Sequence, residues 1–107
     1  MNNASEIEPQ ALAEMMKAKE KLFLLDCRER WEYDTARIEG ATLIPMREIP
    51  QSLDRVPKDA PVVVYCHHGT RSLNIAGWLR RQGIEAQSLG GGIDRWSLEI
   101  DPAVPRY

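Results

Sequence analysis

The chain has 107 residues, of which 43% are apolar and 28% are charged, and this composition favours a single globular domain over residues 1–107. Its 14 basic and 16 acidic residues, with an isoelectric point near 5.7, provide no extended positive surface. We therefore expect no nucleic-acid partner. The polar N-terminus and the lack of a long apolar run predict no membrane partner and a cytoplasmic location.

Strand and helix patterns alternate in the first half of the chain. Residues 6–7 form a short extended segment, and Pro9 suits the first turn of the helix that follows. Residues 22–27 are apolar on both faces, which is typical of a strand covered by helices on two sides. Residues 29–35 have a short helical pattern, and residues 38–45 predict a turn followed by a brief strand.

The second half of the chain continues this alternation. Residues 46–57 are weakly helical at best, whereas the β-branched run at 62–66 is the strongest strand signal in the sequence. A helix is predicted to begin at Ser72 and to end at a glycine, a strand follows at 84–89, and residues 93–100 predict a closing helix. The alternation predicts an α/β fold with a parallel sheet covered by helices on both faces.

The segment CHHGTRS, residues 66–72, follows the most buried of the predicted strands. Ligands of a parallel sheet bind beyond the carboxyl ends of its strands, so this segment is the candidate site. Gly69 allows a backbone conformation that other residues resist, and it lets successive N–H groups converge on one point. The N–H groups of this loop, which includes Thr70, and those at the start of the helix predicted from Ser72 form an anion-binding site, and the sulfur of Cys66 is expected at its mouth.

Cys66 is the candidate nucleophile of this loop. A free thiol has a pKa of about 8.5, and a helix N-terminus with cationic neighbours can lower it to between about 3.5 and 7.5. Arg71 would reinforce the anion site and could bind an anionic substrate through its planar fork. His67 and His68 could shape or charge the rim, although adjacent residues of a tight loop seldom both face one centre. The alternative is an inert cysteine that only packs, but the glycine, the arginine and the helix start together favour catalysis.

Three charged residues near the end of the neighbouring strand could reach the same crevice and support the loop. They are Asp26, Arg28 and Glu32. We expect either Glu32 or Asp26 to pair with Arg71. The alternative is that all three lie on a solvated edge, where charge pairs have small effects.

These residues also carry a resemblance to a known family. CHHGTRS resembles the active-site loop of rhodanese domains, in which a cysteine is followed by four residues with glycine third, and then by arginine and serine. LDCRERWEYDTARIEGATLIP, residues 25–45, is similar to the family's strand, charged turn and Trp-Glu-Tyr signature. LGGGIDRW, residues 89–96, resembles its closing segment, so the match extends from about Ile7 to Trp96.

The resemblance implies an α/β fold with a central five-stranded parallel sheet and helices on both faces. It also implies a sulfurtransferase of the thiosulfate:cyanide type, in which Cys66 accepts sulfane sulfur as a persulfide from thiosulfate or another persulfide donor. The sulfur then passes to cyanide or to a thiol acceptor, so small sulfur-containing anions are the expected partners, and no metal or organic cofactor is required. A thiolate of low pKa and a ring of N–H groups suit both steps.

Two other functions stay open at this point. Protein phosphatases of the related cysteine type place five residues between cysteine and arginine, whereas this loop has four, and a shorter ring suits a single sulfur better than a phosphate. A phosphatase or an arsenate-reductase-like enzyme on a similar scaffold is the first alternative. The second is a non-catalytic binding module, although silent members commonly lose the cysteine that this chain retains.

Two positions depart from the family pattern, and the tail adds a further resemblance. Arg37 replaces the usual histidine, and Cys27 replaces the usual aliphatic residue. Strand alternation points Cys27 away from Asp26 and predicts a buried inert thiol; the alternative is that Cys27 resolves an oxidised Cys66 as a disulfide. The tail IDPAVPRY, residues 100–107, resembles the ends of rhodanese modules on enzymes that activate ubiquitin-like sulfur carriers, which indicates a thiol protein or sulfur-carrier protein as a partner.

The cysteines and histidines are not expected to form a metal site, and the tryptophans are assigned structural roles. Cys66, His67 and His68 are adjacent rather than spaced, so they are not expected to converge on zinc, and no metal site is predicted. The two cysteines lack any CxxC pair and fit a reducing compartment. The tryptophans are interpreted as core or rim aromatics that anchor three helical segments to the sheet, and they are Trp31, Trp78 and Trp96.

Overall fold

The computed structural model describes residues 5–107, in which five strands form one parallel sheet between helices. The strands are β1 (Glu6–Ile7), β2 (Phe23–Asp26), β3 (Thr42–Leu43), β4 (Val62–Tyr65) and β5 (Ala86–Leu89). The α-helices are α1 (Pro9–Lys17), α2 (Arg30–Thr35), α3 (Thr70–Arg81) and α4 (Gly92–Glu99). Two 3-10 segments lie between β3 and β4, at Met46–Glu48 and Pro50–Arg55.

β4 lies at the centre of the sheet, whose strand order is β1-β5-β4-β2-β3 with every pair parallel. All residues of β4 are buried, as its β-branched run predicts. One core contains Leu25, Val64 and, from α3, Leu79. The opposite core contains Leu12 of α1 and Trp96 of α4. The predicted α/β fold, with a central five-stranded parallel sheet and helices on both faces, is confirmed.

β2 and β4 end one residue earlier than the sequence predicts. Their last residues are Asp26 and Tyr65, so Cys27 and Cys66 are the first residues of the loops that follow. The two segments nevertheless stay paired beyond the strand ends, because the N–H of Cys27 donates a hydrogen bond of 3.1 Å to the carbonyl oxygen of Tyr65. The two cysteines therefore lie side by side at the carboxyl edge of the sheet.

The helix after the cysteine loop begins earlier than predicted. α3 starts at Thr70 rather than at Ser72, because Gly69 takes a left-handed conformation, with φ of +106°, at the residue before the helix. The segment 46–57, which the sequence predicts to be weakly helical at best, contains the two 3-10 segments.

The three tryptophans differ in burial. Trp96 is 5% exposed within its core, and Trp78 is partly buried against the core that α3 covers. The prediction for Trp31 is wrong, because its side chain is 61% exposed and does not anchor α2. Its ring contacts the ring of Tyr107 edge-on, with centroids 5.8 Å apart. Glu32 is the buried residue of α2.

The helices are short. α3 has 12 residues and α1 has 9. Crossing a bilayer takes about 20 apolar residues, and no helix within residues 5–107 combines the length and the apolar character to do so.

Candidate active site

The cysteine loop, residues 66–72, comprises the connection after β4 and the first turn of α3. It lies at the carboxyl edge of the sheet and is held there by α4. The carbonyl oxygen of Cys66 accepts a hydrogen bond of 2.9 Å from the N–H of Ile93, and that of His67 accepts one of 3.1 Å from Asp94. Gly92, with φ of +64°, packs so closely that a Cβ there would overlap both carbonyl groups. These two hydrogen bonds and this close contact hold the loop against the start of α4.

The sulfur of Cys66 accepts hydrogen bonds from two main-chain N–H groups of this loop. The N–H of Gly69 lies 3.2 Å from Sγ, and that of Ser72 lies 3.4 Å away. The Ser72 hydroxyl lies 3.4 Å from the same sulfur and 2.7 Å from the hydroxyl of Ser88 on β5. A thiolate only accepts hydrogen bonds, so the Ser72 hydroxyl is the donor when it bonds to an ionised Sγ. The same hydroxyl also lies 3.3 Å from the carbonyl oxygen of Gly69, which can accept its proton instead.

These donors determine the charge of the cysteine. The thiol of Cys27, the hydroxyl of Ser72 and the N–H groups of Ser72 and Gly69 all favour the ionised form of Cys66. Burial opposes ionisation, but the donors outweigh it and lower the pKa of Cys66 to about 4. Cys66 is therefore a thiolate at neutral pH, which is the nucleophilic form of sulfur.

The sulfur lies deeper than the sequence predicts. Cys66 is 1% exposed and belongs to the core that α3 covers, whereas a position at the mouth of the loop was expected. The hydrogen bonds described above hold Sγ beneath the loop. Within residues 5–107, the main-chain N–H groups of His68, Thr70 and Arg71 have no protein acceptor. These groups can therefore serve a bound anion.

Arg71, on the first turn of α3, forms a two-point ion pair with Glu32 of α2. Nη1 lies 2.8 Å from Oε1, and Nη2 lies 2.9 Å from Oε2. The side chain of Arg71 is 33% exposed, while that of Glu32 is 5% exposed. A guanidinium has five N–H donors, so Arg71 retains donors for an anion while it is anchored to α2.

Glu32 accepts four hydrogen bonds in all. Besides the two from Arg71, it accepts one of 2.7 Å from the hydroxyl of Tyr107 and one of 3.0 Å from the N–H of Glu29. The bond from Glu29 belongs to a capping box at the start of α2. Burial disfavours the carboxylate, but Arg71, Tyr107 and Glu29 outweigh it and lower the pKa of Glu32 to about 2. Glu32, which holds Arg71 in place, is thus ionised at physiological pH.

Asp26 and Arg28 pair with each other rather than with Arg71. Both side chains are 0% exposed, with Nε of Arg28 2.8 Å from Oδ1 and Nη2 2.6 Å from Oδ2 of Asp26. The prediction that Asp26 could be the partner of Arg71 is wrong, because Arg28 occupies both of its carboxylate oxygens. The alternative of a solvated edge is also wrong, since Asp26, Arg28 and Glu32 are all buried.

The two histidines form a stack with Tyr107. The ring centroids of His67 and His68 lie 3.9 Å apart at an interplanar angle of 25°. The ring of Tyr107 also lies 3.9 Å from that of His67, at an angle of 8°. Nε2 of His67 is buried and has no hydrogen-bond partner within residues 5–107. His67 therefore joins the tail to the outer side of the cysteine loop.

His67, His68 and Asp94 bring three potential metal ligands within 4.8 Å of one another. Two stacked imidazoles direct their lone pairs along nearly parallel planes, so their nitrogens do not converge on one ion. Asp94 instead forms an ion pair of 2.9 Å with Arg106. The arrangement does not favour a metal site.

Cys27 lies beside Cys66 in the same core and is 1% exposed. Its thiol carries one proton, which it donates either to the carbonyl oxygen of Tyr65 at 3.5 Å or to the neighbouring sulfur of Cys66. The hydrogen bond to Cys66 and then burial raise the pKa of Cys27 far above its usual range. Cys27 therefore keeps its proton next to an ionised neighbour, and neither cysteine is in a disulfide.

Sequence reasoning missed two residues of this site, Ser88 and Tyr107. Ser88 lies in a strand whose pattern shows only alternation, and Tyr107 lies in a tail without periodicity. Their hydrogen-bond partners, Ser72 and Glu32, are 16 and 75 residues away in the chain. No local pattern contains a signal for such contacts.

A cysteine bonded to the N–H groups at the start of a helix, beyond the central strand of a parallel sheet, places this chain among the α/β proteins that carry a cysteine in an anion-binding loop. The model of the rhodanese-like domain family matches residues 8–99, and the chain belongs to that family. The resemblance found in its motifs is thereby confirmed.

Similar proteins cover nearly the same length. A sulfurtransferase of Allochromatium vinosum is 34% identical over 101 residues, which are 94% of this chain and 94% of the relative. The thiosulfate sulfurtransferase GlpE of Glaesserella parasuis is 37% identical over 93 residues, which are 86% of this chain and 85% of the relative. The crystal structure of a rhodanese-related protein from Thermoplasma volcanium superposes with a TM-score of 0.84 at 29% identity, covering 96% of this chain and 99% of that one.

Proposed function

We propose that this protein is a sulfurtransferase that carries sulfane sulfur on Cys66 as a persulfide. The donor is thiosulfate or another persulfide, and the acceptor is cyanide or a thiol. The single observation that carries this proposal is the position of the Cys66 sulfur, which accepts hydrogen bonds from the N–H groups of Gly69 and Ser72 that favour its thiolate form. The names of the similar proteins agree with this reaction class.

In the first step, the thiolate of Cys66 attacks the outer sulfur of thiosulfate. A sulfur–sulfur bond forms to Cys66, the sulfur–sulfur bond of thiosulfate breaks, and sulfite leaves with its electron pair. No proton moves, because the nucleophile is already ionised. Arg71 and the unpaired N–H groups of the loop would offset the negative charge of the incoming anion and of the persulfide.

In the second step, the acceptor attacks the outer sulfur of the persulfide. Cyanide leaves as thiocyanate, or a thiol leaves as a persulfide, and Cys66 returns as the thiolate. The resemblance of the tail to modules of sulfur-carrier pathways makes a thiol protein a candidate acceptor. A reducing compartment such as the cytoplasm suits a carrier whose two cysteines are free.

Intact mass spectrometry after incubation with thiosulfate tests the proposal. We expect the protein to gain the mass of one sulfur atom and to lose it, with release of thiocyanate, when cyanide is added. Cys66→Ser should not gain the sulfur. Cys27→Ser, the same substitution at the neighbouring cysteine, should still gain it, because a hydroxyl at this position can donate to Cys66.

The same samples separate the alternatives. No mass gain in the unmodified protein, or a gain that persists in Cys66→Ser, contradicts a Cys66 persulfide. Hydrolysis of an aryl phosphate or reduction of arsenate that requires Cys66, without any sulfur gain, would identify a phosphatase or an arsenate-reductase-like enzyme. If the correctly folded protein shows no sulfur gain, no phosphatase activity and no arsenate reduction, it is a binding module.

A further inference from the structure

The tail of the chain docks on the outer side of the cysteine loop through Tyr107. Its hydroxyl donates a hydrogen bond of 2.7 Å to Oε2 of Glu32 and accepts one of 2.9 Å from Nη1 of Arg28. Its ring stacks on His67 at 3.9 Å. One side chain from the tail therefore contacts β2–α2 residues and the cysteine loop at once.

The direction of both hydrogen bonds is determined by chemistry. The guanidinium of Arg28 can only donate, and the ionised carboxylate of Glu32 can only accept, so the single proton of the Tyr107 hydroxyl must point to Glu32. Burial and then the bond to Glu32 raise the pKa of Tyr107 to about 12, so the hydroxyl keeps this proton at neutral pH. The hydroxyl thus links the buried Asp26–Arg28 pair to the Glu32–Arg71 pair.

Glu32 has no free acceptor position. Its two oxygens accept two bonds from Arg71, one from Glu29 and one from Tyr107, which fills the roughly four lone-pair sites of a carboxylate. Four donors from different directions leave the carboxylate a single orientation. Because Arg71 bonds to both oxygens, its guanidinium plane takes the orientation of Glu32.

We propose that Tyr107 is a positioning residue for Arg71, acting through Glu32. The hydroxyl fixes Oε2, and Oε2 fixes Nη2 of Arg71 at 2.9 Å, beside the loop that holds Cys66. The effect on catalysis rests on the proposed function, in which Arg71 binds the anionic sulfur donor. The tail is then part of the donor-binding site, although it does not contact the sulfur.

Tyr107→Phe separates this role from packing, because it keeps the ring on His67 and removes only the hydroxyl. We expect the KM for thiosulfate to rise about three- to tenfold with kcat within about twofold, since donor binding weakens while the thiolate is unchanged. Tyr33→Phe is the matched control, because the hydroxyl of Tyr33 bonds to no residue within 5–107 and the variant should behave as the unmodified protein. A Tyr107→Phe variant with an unchanged KM would overturn the proposal.

A second measurement does not depend on sulfur transfer. NMR of the free protein should show a sharp guanidinium signal for Arg71 that broadens in Tyr107→Phe and not in Tyr33→Phe. The carboxyl of Glu32 should titrate at a higher pH in Tyr107→Phe than in the unmodified protein. Unchanged Arg71 and Glu32 signals would overturn the positioning role, whereas absence of sulfur transfer with changed signals would contradict only the proposed function.

Discussion

Cys27 and Cys66 lie side by side at the ends of two paired strands, and one keeps its proton while the other loses it. The N–H of Cys27 bonds to the residue before Cys66, which holds the two thiols in the same core. The hydrogen bond from the Cys27 thiol is the largest influence that lowers the pKa of Cys66. The residue that departs from the family's aliphatic pattern therefore favours the ionised form of Cys66.

Replacing Cys27 with valine removes this donor and keeps an apolar side chain of similar size. We expect Cys27→Val to raise the pKa of Cys66 by about one to two, since a hydrogen bond to a charged group contributes about 1.5–3 kcal/mol. Cys27→Ser, which retains a donor, should change the pKa less. Titration of the thiolate absorbance measures both variants, and equal values in Cys27→Val and the unmodified protein would exclude the donor role.

Cys27 should not form a disulfide with Cys66 under mild oxidation. The hydrogen bond to Cys66 and burial both raise the pKa of Cys27, and burial still does so after Cys66 is oxidised. Cys27 therefore stays a thiol, whereas the thiolate is the form that attacks an oxidised sulfur. Peptide mapping after treatment with dilute peroxide should find Cys66 oxidised and no peptide that joins the two residues. A crosslink between 27 and 66 would establish instead that Cys27 is a resolving cysteine.

Arg71→Lys should weaken donor binding while leaving the fold intact. Lysine keeps the charge but cannot contact both oxygens of Glu32, so the ammonium is no longer held in one orientation. We expect the KM for thiosulfate to rise about tenfold, as the loss of a charge-assisted hydrogen bond predicts. Arg81→Lys, at an exposed position on the last turn of α3, is the control. Equal KM values in the two variants would show that the fork of Arg71 has no role in binding.

The depressed pKa of Glu32 predicts how stability depends on pH. Folding lowers this pKa from 4.5 to about 2, so the unfolded chain binds the proton more readily than the folded protein. The stabilisation is fully present above about pH 4.5 and is lost as the pH falls towards 2. Urea unfolding at pH 6 and pH 3 should show that the free energy of unfolding falls more for the unmodified protein than for Glu32→Gln. Equal decreases in the two proteins would contradict an ionised Glu32 in the folded state.

The sequence is most informative where structure depends on neighbouring residues. The alternation of strands and helices, the β-branched run of β4 and the spacing from Cys66 to Arg71 are local patterns, and they predict the sheet and the loop. The sequence predicts Glu32 or Asp26 as the partner of Arg71. Only the structure shows that both carboxylate oxygens of Asp26 bond to Arg28, which leaves Glu32 as the partner. Packing between distant segments decides such pairs.

The depth of the sulfur and the role of the tail lie beyond local patterns. Cys66 is buried because Gly69 and Ser72 fold over it and α4 holds the loop carbonyls, which depends on a segment more than twenty residues away. The hydrogen bond from Tyr107 to Glu32 joins two residues that are 75 positions apart in the sequence. Composition and periodicity carry no information on either contact.

Titration of Cys66 tests the central claim most directly. The thiolate absorbance of the unmodified protein, minus that of Cys66→Ser, reports this one sulfur as a function of pH. The structure predicts a transition with a pKa of about 4, so that ionisation is complete well below neutral pH. A transition near 8.5, the ordinary value of a free thiol, would contradict the account of an activated nucleophile.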